Sequence, residues 1–227
     1  QTGSTAWSQL QSLLTSTVEV EFEGKRITLS EVRNLAYSKD KETRKKAYEA
    51  ELASYPKIED SIAFSLNAIK GEVNTISKAR GFESPLDQAL DKSRMKKETL
   101  EAMQAAVAEY YDVFREYLKR KAKLLGHKNG LPFYDLFAPI GVNARQFTIE
   151  EANNYILKNF KTFSNRLHDL AKRAFDESWV DYTPRKGKRG GAFCSNIHAI
   201  KESRVMTNFT GSFSDMITLA HELGHAY

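Results

Sequence analysis

Residues 218–226 read Thr-Leu-Ala-His-Glu-Leu-Gly-His-Ala. Residues four apart on a helix lie on the same face, so His221 and His225 can direct two imidazole nitrogens at one metal ion. Glu222 lies about 100° further round the helix than His221. It can therefore hydrogen-bond a metal-bound water more easily than it can act as a ligand. The segment predicts a helix that carries part of a divalent metal site.

The surroundings of this motif strengthen the prediction. A chance match to so short a pattern is expected in about one chain of this composition in a hundred. Ile217, Leu219 and Leu223 give the segment an apolar helical character, in which two stacked histidines and a glutamate need a reason to be present. Gly224 costs about 1 kcal/mol inside a helix, which predicts a close backbone approach there. The order of residues is that of zinc metalloproteases, with Glu222 as the general base.

Two short strands and a basic loop are predicted before this helix. The strands cover residues 192–195 and 204–209, and the loop is Arg185-Lys-Gly-Lys-Arg-Gly-Gly191. The second strand either offers backbone hydrogen bonds to an extended peptide or is purely structural. The loop is either a solvated hairpin tip or a site that attracts a peptide carboxylate or another anion.

The rest of the chain has mainly helical periodicity. Alternating residues 18–22 and the turn Glu23-Gly24 predict a β-hairpin near the N-terminus. One long helix is predicted from about Lys97 to Leu125, with its apolar side chains directed inward. We therefore expect a mainly α fold, in which residues 1–180 form a helical domain with the hairpin and residues 181–227 begin a catalytic region.

Composition excludes several classes of protein. Hydrophobic residues make up 41% and charged residues 28% of 227 residues, which is ordinary globular usage. The net charge is +5, but basic and acidic residues alternate along the chain and no nucleic-acid motif is present, so we expect no nucleic-acid partner. No run of about 18 apolar residues predicts a membrane span, and the first residues lack a signal-peptide layout. The single cysteine, Cys194, fits a small buried residue in a reducing cytoplasm.

Three stretches resemble one known family. They are Gly-Lys-Arg-Gly-Gly-Ala-Phe-Cys at 187–194, Met-Thr-Asn-Phe-Thr-Gly-Ser-Phe-Ser-Asp at 206–215, and the segment 218–226. Together they resemble oligoendopeptidase F, of the thimet-oligopeptidase-like zinc metallopeptidases. The resemblance implies a helical zincin-type peptidase with a deep channel, which cuts short peptides in the cytoplasm. It also implies one zinc ion, with His221 and His225 as ligands and Glu222 as the general base.

The resemblance also implies that the site is incomplete in this chain. In the family the third zinc ligand is a glutamate on a later helix, and no residue follows Tyr227 here. We therefore expect a fragment that is inactive alone and needs a C-terminal catalytic part of the same protein as its partner. The nearest internal candidates for a third ligand are Cys194, His198, Glu202 and Asp215. Asp215 is better explained as a charge at a helix N-terminus, and His198 as a surface residue.

Two other functions remain open from the sequence. The chain could be a helical scaffold or interaction protein with a relic of the histidine motif, which predicts less than one zinc ion per molecule. It could also be a basic nucleic-acid-binding protein, which predicts salt-dependent binding. His127 and His168 lie outside the motif and are interpreted as structural residues.

Overall fold

The computed structural model describes residues 2–141 and 145–227, and these residues form a mainly α-helical structure. The helices are α1 (Gly3–Thr17), α2 (Leu29–Asn34), α3 (Lys41–Ser54), α4 (Glu59–Ala79), α5 (Pro85–Ser93), α6 (Lys97–Glu109), α7 (Tyr111–Leu124), α8 (Ile149–Phe163), α9 (Asn165–Asp176) and α10 (Phe213–Ala226). The strands are β1 (Glu19–Phe22), β2 (Lys25–Thr28), β3 (Val180–Asp181), β4 (Phe193–Ile197) and β5 (Glu202–Met206). The predicted fold class is confirmed. Among the described helices, none has the length and apolar character needed to cross a membrane.

The chain divides into two compact units. The first comprises residues up to 14 together with 55–136, and the second comprises residues 15–54 and 137–227. All of α10 and both small sheets belong to the second unit. The division predicted at residue 180 stays a prediction.

The first unit differs from the prediction in its longest helical segment. The helix expected from Lys97 to Leu125 is interrupted at Tyr110, which separates α6 from α7. Its predicted inward residues are largely exposed, among them Met103, Val107, Tyr110, Tyr111, Phe114, Tyr117 and Leu118. The inward assignment was therefore wrong for these residues. Helical spacing identifies an apolar face of a helix, but it does not show whether another helix or strand packs on that face.

The N-terminal hairpin of the second unit has the predicted form. Strands β1 and β2 pair antiparallel, with Val20 opposite Ile27 and Phe22 opposite Lys25. Thr28 then begins α2 with a capping box, because its hydroxyl accepts from the Glu31 amide while the Glu31 carboxylate accepts from the Thr28 amide. The hairpin packs against α2 and α3.

A three-stranded sheet lies before the last helix, in the order β3-β5-β4. Strand β5 pairs parallel with β3 and antiparallel with β4, so it is the central strand. One hydrophobic core joins this sheet to α8, α9 and α10. Its buried members are Ala152, Ile156, Ala171, Ala174, Trp179, Val205, Phe209, Met216, Leu219 and Leu223.

Candidate metal centre

The start of α10 is fixed by side chains that precede its histidines. Ser212 is the N-cap and forms a capping box with Asp215. Oδ2 of Asp215 also accepts hydrogen bonds from the backbone amides of Thr210 and Ser212, at 2.9 and 3.0 Å. Asp215 therefore acts as a charge at a helix N-terminus, as the sequence predicted.

The buried face of α10 holds the helix against the core. Met216, Leu219 and Leu223 have at most 1% of their surface exposed. Each fully buried side chain of this size contributes about 1.5–3 kcal/mol. Because these residues recur every three to four positions, the opposite face of α10 is turned outward. His221 and His225 lie on that outward face and are exposed.

The two histidines converge on one point. Their Nε2 atoms lie 3.0 Å apart, and the ring planes are perpendicular with centroids 4.6 Å apart. Two zinc–nitrogen bonds of about 2.0–2.1 Å at a tetrahedral angle place the nitrogens about 3.3 Å apart. The observed separation therefore needs to change by only a few tenths of an ångström for both rings to bind one ion. The pair fits two of the protein ligands of a zinc site.

Glu222 lies on a different side of α10 from the two histidines. It is 8% exposed, on a helix that packs against β4, the strand that contains Cys194. Burial raises the pKa of the Cys194 thiol, and the Glu222 carboxylate raises it further, whereas a hydrogen bond with Ser203 lowers it. Cys194 is thus a half-buried thiol packed against the core and is not an activated nucleophile.

No internal third ligand is apparent in the part of the chain that the structure describes. Across residues 2–141 and 145–227, no three His, Cys, Asp or Glu side chains are grouped so that they could hold a metal. Of the candidates from the sequence, Glu202 pairs with Arg173 and Arg204. Asp215 is engaged in the helix cap. Among the described residues, the converging pair His221 and His225 is therefore the candidate for two ligands of a metal ion.

The strand predicted at residues 204–209 had either a peptide-binding or a structural role, and its residues 205 and 206 are paired on both sides, which favours the structural role. The amides of Val205, Thr207 and Phe209 donate to carbonyls of residues 179, 181 and 182, and the other side of β5 pairs with β4. Strands β3 and β4 are the two edges of the sheet, and β4 is the longer, with five residues whose far side pairs with no described strand. Sequence periodicity could not reveal this, since it does not show which strand lies at the edge.

The orientation of the open edge follows from the hydrogen bonds of β5. Since the Val205 amide points to residue 179, those of Arg204 and Met206 point to β4, where they face Ser195 and Phe193. The backbone N–H and C=O groups of successive residues point to alternate sides of a strand. The backbone groups of Cys194 and Asn196 therefore point away from β5, along the open edge.

The basic loop is exposed at Arg185 and Lys186, as expected for a solvated loop, but three of its cations are paired with carboxylates. Arg185 binds both carboxylate oxygens of Asp181, at 2.8 and 2.9 Å. Lys188, whose side chain is 3% exposed, donates to Asp181 Oδ1 and to the carbonyls of Asp181 and Thr183. Lys186 pairs with Glu19 of the hairpin. These ion pairs hold the loop to its own unit, and attraction of an anion by the loop stays a prediction.

A mainly helical chain that presents two converging imidazoles and an intervening glutamate on one helix has the features of a zincin-type metallopeptidase. Residues 34–227 match the model of Peptidase family M3. The match covers well over half of the sequence, and the chain belongs to this family. Family M3 is in general zinc-dependent, which agrees with the geometry of the histidine pair.

Individual relatives agree with this family. The chain is 25% identical over 203 residues to oligopeptidase PepF of Bacillus subtilis, a match that covers 89% of this chain and 30% of that protein. It is 28% identical over 197 residues to group B oligopeptidase PepB of Streptococcus agalactiae, covering 85% of this chain and 32% of that protein. The chain therefore spans about a third of the length of these relatives.

Solved structures show the same fold. A protein assigned as an oligoendopeptidase F from Bacillus anthracis superposes with a TM-score of 0.88 at 23% identity, over 98% of this chain and 42% of that one. PZ peptidase A, solved with an inhibitor, gives a TM-score of 0.82 at 21% identity, over 98% of this chain and 41% of that one. The predicted resemblance to oligoendopeptidase F is confirmed.

Proposed function

We propose that this chain carries two zinc ligands and the general base of a zinc-dependent endopeptidase that hydrolyses short peptides. The observation that carries the proposal is the 3.0 Å separation of the His221 and His225 Nε2 atoms on the outward face of α10. Membership of Peptidase family M3 and the oligopeptidases among its relatives support the same activity. Catalytic zinc sites usually have three protein ligands, so this chain alone is proposed to be inactive.

The residues of the chain have separate roles in this proposal. His221 and His225 would hold the ion, which when bound lowers the pKa of a coordinated water toward about 7 and polarises a peptide carbonyl. Glu222 would accept a proton from water at its carboxylate and deliver it to the leaving amine. Its burial against β4 limits the positions that its carboxylate can adopt.

The open edge of β4 is proposed to hold the peptide substrate. The backbone groups of Cys194 and Asn196 point away from β5 along this edge, and α10, which carries Glu222, packs against β4. An extended peptide that paired with this edge would form backbone hydrogen bonds without regard to its side chains. Such pairing suits an enzyme that acts on many short sequences.

Zinc titration of the 227-residue chain tests the metal centre. We expect one zinc ion per chain, bound weakly because two protein ligands are present, and loss of this binding in both His221→Ala and His225→Ala. His198→Ala is the matched control and should bind zinc as the parent does, since His198 lies in a separate short 3-10 helix. A parent chain that takes up much less than one zinc ion would favour the scaffold function instead.

A further inference from the structure

A side-chain network joins β4 to the last turn of α10. Nδ2 of Asn196 donates a hydrogen bond of 3.3 Å to the carbonyl oxygen of His225. Oδ1 of Asn196 accepts bonds of 2.8 Å from Ser203 Oγ and 3.4 Å from Cys194 Sγ. Because a carboxamide has distinct donor and acceptor ends, these two donors direct the Asn196 nitrogen toward the helix.

The network lies between the sheet and the helix that carries the histidines. Side chains two apart on a strand share a face, so Cys194 and Asn196 both point toward α10. The Glu222 carboxylate raises the pKa of the Cys194 thiol, and Asn196 reaches the backbone of His225. Ser203, which holds the oxygen of Asn196, is 3% exposed on the central strand. Ser203, a buried residue of the central strand, thus orients Asn196, an exposed residue of the edge strand, toward the His225 carbonyl.

We propose that Asn196 is a positioning residue for His225, an inference that rests on the proposed function. The bond to the His225 carbonyl fixes the last turn of α10 against β4, and the imidazole direction follows from that backbone. A carbonyl oxygen has two lone pairs, so this bond is compatible with a helical bond to the same oxygen. Partners bonded directly to a ligand ring change metal affinity about 10–100-fold. Asn196 acts through the backbone, so its removal should weaken binding less, by about 3–10-fold.

Asn196→Ala in the 227-residue chain tests this role by zinc titration and by the visible absorption of bound cobalt(II). We expect zinc binding to weaken about 3–10-fold and the cobalt band to change in position or intensity, because the geometry at the ion changes. Alanine is preferred to aspartate, whose charge would itself attract the cation. Ser203→Ala is a second, independent variant, since it removes the donor that orients Asn196. It should weaken zinc binding in the same direction by a smaller factor.

Ser195→Ala is the matched control. Ser195 is exposed on the same strand and points to the opposite face, so zinc binding and the cobalt band should match those of the parent. Zinc affinity of Asn196→Ala within 1.5-fold of the parent would overturn the positioning role and leave the metal centre in place. The role would also be overturned if Ser195→Ala lost as much affinity as Asn196→Ala. A parent chain without bound zinc would overturn the metal centre and the role together.

Discussion

Nε2 of His127 lies 2.5 Å from Oδ2 of Asp135, a carboxylate with no exposed surface. His127 follows α7 closely, and Asp135 ends a short 3-10 helix of residues 133–135. The bond therefore closes the intervening loop onto the end of the helix. This contact agrees with the structural role predicted for His127.

Replacing His127 should destabilise the fold. His127→Ala removes a buried hydrogen bond to a carboxylate, and such bonds contribute about 1.5–3 kcal/mol. Urea unfolding followed by circular dichroism would measure the loss. The control is His168→Ala, whose partner Asp169 is 74% exposed, and which should cost less than about 1 kcal/mol. Equal stability of the two variants would contradict the expectation.

Acid should weaken the ion pairs that Asp181 forms with Arg185 and Lys188 of the basic loop. The hydrogen bonds from Arg185 lower the pKa of Asp181 against the opposing effect of its burial, and Lys188 lowers it further. A carboxyl whose pKa is lower in the folded state contributes stability above its unfolded pKa. That contribution is lost as the pH falls through the folded pKa, here below about pH 4.

The test compares denaturation midpoints at pH 7 and pH 3. Arg185→Met should lose less stability over this interval than the parent, because the pKa of Asp181 is then closer to its unfolded value. Arg120→Met removes an equally charged residue from an exposed pair with Glu116, so its pH dependence should equal that of the parent. If the Arg185→Met chain lost as much stability in acid as the parent, the Arg185–Asp181 pair would not contribute to the pH dependence of stability.

Two glycines, one just before α10 and one within it, should respond in opposite directions to alanine. Gly211 has φ of +101°, and an added Cβ would lie 2.7 Å from Gln146 Oε1 and 2.8 Å from the Phe147 carbonyl oxygen. Gly224 lies within α10, where an added Cβ meets no described atom within 4 Å. The close approach predicted at Gly224 is therefore absent among the described residues. Gly211→Ala should cost about 1–3 kcal/mol, whereas Gly224→Ala should stabilise the chain by about 0.5–1 kcal/mol.

Thermal unfolding of both glycine variants would measure these shifts. Destabilisation by Gly224→Ala comparable to that by Gly211→Ala would mean that a further segment approaches the outward face of α10.

Glu222→Gln should abolish peptide hydrolysis without loss of metal. The test uses a polypeptide that extends beyond Tyr227 and supplies a third ligand. Glutamine keeps the size of the side chain but cannot accept the proton, so a decrease in kcat of at least about 100-fold is expected. Zinc content should stay at the parent level. Activity within tenfold of the parent would remove Glu222 from the role of general base.

Local features of the fold could be predicted from the sequence because their causes are local. The hairpin follows from alternation at residues 18–22 and from the Glu23-Gly24 turn, where both residues have positive φ. The start of α8 follows from Thr148 and Glu151, which form a capping box three residues apart in the sequence. The four-residue spacing of His221 and His225 is also a local cause, and it correctly predicted that the two side chains lie on one face of a helix.

Features that depend on distant residues could not be predicted. The sequence left a substrate-binding and a structural role open for the strand at residues 204–209, and only the parallel pairing of Val180 with Val205 shows that β5 lies at the centre of the sheet. The sequence shows that Arg185 and Lys188 are charged, but it does not show that both pair with Asp181. The positioning contact of Asn196 also depends on a tertiary neighbour, 29 residues away, and no local pattern indicates it.

The open side of β4 has a consequence for how the chain behaves at high concentration. Unpaired amides and carbonyls along a strand accept any extended segment, including the same strand of another molecule, and such pairing leads to aggregation. Strand β4 has only five residues, and Ser195 and Asn196 are polar and exposed, which limits the length and strength of a self-associated ladder. If β4 binds peptides as proposed, its shortness also protects the chain, because a longer apolar edge would pair with other copies of itself.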